Sequence, residues 1–216
     1  MKTFLKEALL VVLVILPYVY LYTVWNQLGE QLPIHFDFNG TPNDWVGKTT
    51  MLYIPGAVGF GVYLLLLLIP YIDPKRKIME MGDKYYSLRF TLTLFISLLL
   101  AFVIFAGKSG SSQSTGAVML IVGGLLAVIG NYFQALRPNY FIGIRTPWTL
   151  QSEQVWKKTH KLGGRVWMGG GILIAILSFL IHGNEASGIV FGTLLGIMVL
   201  WPVLYSFTEF RKESRN

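Results

Sequence analysis

Three small groups of residues in this 216-residue chain have the types and spacing to do chemistry. In the first, His35 lies near Asp37 and Asp44 within LPIHFDFNGTPNDWVGK, from Leu32 to Lys48. An imidazole titrates near neutral pH, and with carboxylates it can start a metal site. Neither an HxxxH nor an HExxH spacing accompanies it. In the second group, Glu153 and His160 share one segment but stand seven apart, with no nucleophile beside them. The third is Arg145, flanked by Ile144 and Thr146-Pro147. Its planar fork suits a lipid phosphate, a helix C-terminus or the Glu153 carboxylate. No Ser-His-Asp grouping, paired metal ligands or phosphate loop occurs, and the lack of cysteine excludes disulfides and Cys-ligated metals. The expectation is therefore no enzyme, no metal and no cofactor. What remains is recognition.

The elements that must position these residues are apolar. The chain is 53% hydrophobic and only 13% charged, against about a quarter charged in soluble domains. Its charges cluster, leaving uncharged runs at 8–29, 49–72, 90–107, 109–136, 166–181 and 186–208. A bilayer core needs about 17–25 apolar residues per helix. Five of the six runs reach that length, and His182, Gly183 and Asn184 can extend the fifth. A soluble bundle would need polar faces that these runs lack. The first run is too long for a signal peptide and no cleavage motif follows it. The sequence predicts an all-α polytopic membrane protein with six transmembrane helices.

Orientation follows from the basic residues. With both termini cytoplasmic, only Lys48 and Lys108 of the 18 Lys and Arg fall outside, as the positive-inside rule requires. The pI near 9.6 then reflects attraction to anionic lipid rather than nucleic acid. The expected location is the bacterial inner membrane.

Two segments are too rich in polar and turn-forming residues for simple connectors. The outer loop, 25–48, exceeds the roughly 12–15 residues beyond which loops are usually functional or disordered, and Phe36, Phe38 and Trp45 argue against disorder. IHFDF alternates and leads to an Asn39-Gly40 turn. Asp44 and Lys48 have the spacing to pair across one helical turn. His35 and Trp45 are equally the residues of interfacial anchoring and loop packing. The cytoplasmic loop, 137–165, begins where Arg137-Pro138 ends a span. A short helix is expected from Ser152, which caps it, to Gly163-Gly164, which stop it. Glu153 and Lys157 have i,i+4 spacing. Val155, Thr159 and Leu162 share a face that suits the membrane surface.

These segments carry a resemblance. NYFIGIRTPWTLQSEQVWKKTHKLGG closely resembles the signature of the SdpI immunity-protein family, at Asn139, Gly143, Arg145, Thr146, Pro147, Trp148, Ser152, Trp156, Thr159, His160 and Gly164. The outer loop resembles the domain of unknown function often joined to that family at its N-terminal side. The resemblance implies a two-span region over 1–85 and a four-span SdpI-like region over 86–216. It also implies protection from a secreted peptide toxin, with a small cytoplasmic autorepressor held at the membrane as a possible partner. In that frame Pro33, His35, Phe36, Asn39, Gly40, Asp44, Trp45 and Lys48 face the toxin. The eleven cytoplasmic signature residues form a partner-binding or structural loop. Pro17, Pro55 and Pro202 are expected to kink their spans. Gly169-Gly170-Gly171, and a GxxxGxxxG face at Gly188, Gly192 and Gly196, allow close helix contact or a homodimer. The rival reading is a small-solute transporter of two inverted three-helix repeats. Against it, the uncharged runs hold no ionisable residue for an ion path.

Overall fold

The computed structural model describes residues 2–37, 41–109, 114–181 and 185–215. Helix α1 (Lys2–Val24) leads through a 3-10 turn to strands β1 (Gln31–Phe36) and β2 (Pro42–Gly47). Then come α2 (Gly61–Ile72), α3 (Asp83–Ser109) and α4 (Ser114–Phe133). The short α5 (Pro147–Gln151), α6 (Glu153–Leu180) and α7 (Glu185–Glu213) complete the chain. Among the described residues, six helical segments are long and apolar enough to cross a membrane: Phe4–Gln27, Lys48–Ile72, Asp83–Lys108, Gly116–Phe133, Glu153–Leu180 and Ala186–Glu213. Val12, Leu65, Phe179, Ile189 and Leu204 are each more than half exposed. Such an outward apolar coat belongs against lipid. The fold is all-α and polytopic, as expected. The proposed extension of the fifth span by His182, Gly183 and Asn184 lies outside the described residues.

The spans form two packed groups. In the first, α3 lies along α1; in the second, α6 packs against both α4 and α7, most extensively against α4. The α4–α6 seam is made of glycine. A Cβ at Gly123 would stand 2.8 Å from the Gly171 carbonyl oxygen, and one at Gly164 would stand 2.7 Å from that of Gly130. The backbones touch where side chains are missing, and in lipid such packing replaces the hydrophobic drive that water supplies.

This seam also decides the course of α6. Gly163 and Gly164 do not stop a helix: α6 is continuous from Glu153 to Leu180, and the expected surface helix is its first three turns. A glycine ends a helix by taking a left-handed φ, and neither residue has one. Gly164 instead meets α4. The short helix of this loop is α5, earlier in the sequence. Pro17 and Pro202 sit inside α1 and α7, which run on through them. At Pro55 the second span widens into a π-helical turn, Gly56–Phe60, before α2 begins. The missing N–H and bulky ring of proline favour such an adjustment.

Two apolar clusters set the ends of the bundle, and the first of them joins the two groups. On the side of the termini, Leu66, Ile69, Ile78, Met81, Tyr85 and Leu88 pack with Phe133, Leu136 and Trp156. On the opposite side, Leu21, Val24, Leu28, Leu32, Met51 and Ile104 seat the β1–β2 hairpin on the helices.

Candidate functional site

The loop between α4 and α6 is a folded knot. Asn139 is fully buried, and every hydrogen bond of its amide stays within the loop. Nδ2 donates to the carbonyls of Arg137 (2.8 Å) and Ile142 (3.1 Å), while Oδ1 accepts from the N–H groups of Phe141 (2.8 Å) and Ile142 (2.7 Å). Gly143 follows with φ of 108°, a region closed to most side chains. A Cβ there would also strike the His160 ring. His160 is 2% exposed and clamped at both nitrogens. Its Nε2 accepts the Ile144 N–H at 3.0 Å, which requires the neutral ring with the proton on Nδ1, 2.9 Å from the Trp156 carbonyl. The Trp156 and His160 rings stack at 4.0 Å, and the indole N–H of Trp156 reaches the Leu136 carbonyl at 2.9 Å.

The next residues tie the knot to α7. Thr146 caps α5 through a capping box with Thr149, and Pro147 occupies the first turn, where its missing N–H costs nothing. Thr146 Oγ1 lies 3.3 Å from Ser206 Oγ, and the Trp148 indole N–H donates to the same Ser206. Trp148 also packs on Phe207, with ring centres 5.2 Å apart. Ser152 caps α6, accepting from the Val155 N–H at 3.2 Å. Glu153 pairs with Lys157 at 2.9 Å, as its spacing predicts. Thr159 is fully buried, and its hydroxyl has no partner among the described residues. An unsatisfied buried hydroxyl costs about 1–3 kcal/mol.

Of the eleven signature residues, Asn139, Gly143, Thr146, Trp148, Trp156 and His160 are thus brought together in one unit. Arg145 is its exposed product. The guanidinium donates to the Tyr140 carbonyl at 2.6 Å, and the expected partner Glu153 is taken by Lys157. No carboxylate pairs with Arg145 among the described residues.

The hairpin at the opposite face gathers part of the outer group. Leu32 pairs with Val46, Pro33 with Trp45 and His35 with Asp44, with register irregularities on either side of His35. Leu32 is fully buried and Pro33 is buried, whereas His35 and Asp44 are exposed and Trp45 is 50% exposed. His35 Nδ1 meets Asn43 Oδ1 at 2.5 Å rather than an aspartate. Asp44 does not pair with Lys48 across a helical turn: it lies in β2, bonded to the Trp45 N–H at 2.9 Å. Lys48 sits 4.7 Å above the Trp25 ring. Cross-strand pairing wins because β2 has a complete partner in β1, while an isolated turn has one weak ion pair. The backbone of Phe36 belongs to β1; Phe38, Asn39 and Gly40 lie outside the described residues.

Several ion-pair groups escaped sequence reasoning. Arg89 holds Glu7 with two bonds, 2.7 and 2.9 Å, while Tyr63 donates to the same carboxylate at 3.1 Å. The signal was present: each charge sits at the edge of an uncharged run, Glu7 one residue before the first and Arg89 one before the third. Buried Glu209 takes Lys158 and Lys212, both at 2.7 Å. Glu80 takes Lys77 and Arg137.

Six membrane-length helices, with a folded hairpin at one face and a folded loop at the other, define a polytopic α-helical membrane protein. Residues 135–206, which include the knot and its α7 anchor, match the SdpI/YfhL protein family, and residues 12–59 match a domain of unknown function (DUF1648). The family likeness thus covers a third of the chain, in the region of the knot. The chain is also 28% identical over 176 residues to the immunity protein SdpI of Bacillus subtilis (strain 168), covering 81% of this chain and 82% of that one. No solved structure matches the chain.

Proposed function

We propose that this protein is an SdpI-like membrane immunity protein, protecting its cell from a secreted peptide toxin. The carrying observation is the similarity to an immunity protein across four-fifths of both chains. In this reading the exposed hairpin face of His35, Asp44 and Trp45 meets the toxin outside. Arg145 faces a cytoplasmic partner, for which a small repressor is the expected class. The inverted-repeat alternative gains no support from packing. In the first half the first span lies on the third, whereas in the second half the first lies on the second.

The test uses the native host. A strain lacking this gene should be killed by culture supernatant of its parent, and the intact gene should restore survival. The His35→Ala/Phe36→Ala/Asp44→Ala variant should reach normal membrane levels without restoring it. A deletion strain as resistant as the parent would sink the immunity reading. Full protection by the triple variant would reduce the hairpin to a connector.

A further inference from the structure

On the face that carries the termini, a cavity of about 650 Å³ opens where the two halves of the chain meet. That volume lies within the ~300–1,000 Å³ range of small-molecule sites. Its charge is one-sided. Lys75 and Lys77 enter from the segment after α2, Lys84 from α3, Arg137 from the segment after α4, and Lys157 from α6. Glu153 is the single lining carboxylate and is engaged by Lys157. Gln134 and Gln151 add neutral amides. Glu80, beside the cavity, shows what these cations do with an anion. Lys77 and Arg137, from different halves of the chain, grip its carboxylate together. That carboxyl is held below the usual carboxylate range, foremost by the Lys77 hydrogen bond, with desolvation opposing and Arg137 adding to it.

Two cations remain without a carboxylate. Lys75 lies 4.8 Å above the Tyr140 ring, and Lys84 has no ion pair among the described residues. Five cations against two carboxylates, converging from four separate segments, leave a positive excess. Leu136 and Leu150 supply an apolar part of the wall, and Tyr71 and Ile72, just before Lys75, are 73% and 54% exposed at the end of their span.

We propose that this cavity is a phosphate-binding site, in which Lys75, Lys84 and Arg137 hold the phosphate of an anionic lipid headgroup or a free phosphate. Because the cations come from both halves of the chain, the bound anion cross-links them. This site is separate from the hairpin and from Arg145, so it stands or falls independently of the immunity reading.

The test uses the purified full-length protein in a neutral detergent. Its binding of phosphatidylglycerol and of phosphatidylcholine is measured by native mass spectrometry, and inorganic phosphate is titrated separately against thermal unfolding. Phosphatidylglycerol should bind at least about tenfold tighter than phosphatidylcholine. Lys75→Gln/Lys84→Gln should lose about fivefold per lysine removed, Lys75→Arg/Lys84→Arg should retain binding, and Lys108→Gln on the opposite face should be silent. Stabilisation by inorganic phosphate, absent in the Gln pair and without lipid preference, supports the site with a soluble source. Equal binding of both anions by the wild type and the Gln pair overturns the proposal. Loss in the Arg pair as great as in the Gln pair overturns it as well, since charge would not be the determinant.

Discussion

Arg145 differs from its neighbours in the signature. Asn139, Gly143 and His160 spend their hydrogen bonds or their lack of a side chain inside the knot, while Arg145 spends one N–H on the Tyr140 carbonyl and is otherwise exposed. That one bond pre-orders the fork, so a carboxylate or phosphate arriving from outside meets an oriented pair of donors. A lysine at this position can satisfy the carbonyl or the incoming anion, but its ammonium has no second arm. Arg145→Lys should therefore weaken recruitment of a cytoplasmic partner nearly as much as Arg145→Ala, by about tenfold or more. Membrane levels should stay unchanged because the side chain is exposed. Pull-down from solubilised membranes alongside an expression blot checks this. Lysine serving as well as arginine in both would make Arg145 an ordinary inner-face charge. The sequence exposed Arg145 as unusual through its apolar, proline-bounded setting. It did not reveal that the apolar setting folds inward and leaves the guanidinium outside. That outcome depends on Gly143, whose positive φ reverses the chain just before it.

At the scale of elements, spans were legible and their partnerships were not. Uncharged runs disclose membrane helices because the bilayer penalises charge at any position around the helix. Which helix touches which depends on where side chains are absent. GxxxGxxxG at Gly188, Gly192 and Gly196 drew attention, yet a Cβ at Gly192 or Gly196 would meet nothing within 4 Å. The seam that forms uses Gly123 and Gly130 of α4 with Gly164 and Gly171 of α6, spread over two spans and visible in neither alone. The same seam carries α6 through Gly163-Gly164, where local propensity argues for a stop. Gly130→Leu should force α4 and α6 apart and lower the unfolding temperature in detergent markedly, the cost of an overpacked contact being about 1–3 kcal/mol or more. Gly192→Leu should change it little. Equal effects at both sites would show that the α4–α6 contact is not the principal seam.

For the whole molecule, the sequence argues orientation from charge. The folded structure adds that the basic segments gather into shared groupings: Lys6 with Asp83, Arg137 with Glu80, and Lys158 with Glu209. These join the N-terminal helix, the loops and α7 on one face. Cysteines placed at Asn39 and Ser112 should react with an impermeant thiol reagent in intact cells, and one at Ser214 should not. The native chain has no cysteine, so no background labelling competes. Labelling at Ser214 alone would invert the orientation.

The hairpin is not free to move by itself. Leu32 of β1 packs against Gly107, near the far end of α3, where a Cβ would lie 3.1 Å from the leucine side chain. From there α3 runs unbroken to Asp83, a rod about 40 Å long at 1.5 Å per residue. Near its other end stand Lys84, at the rim of the basic cavity, and Arg89, fastened to α1 through Glu7. One unbroken helix therefore spans the distance from the seat of the hairpin to the rim of the basic cavity, tied to α1 on the way by Ser97, whose hydroxyl donates to the Leu13 carbonyl.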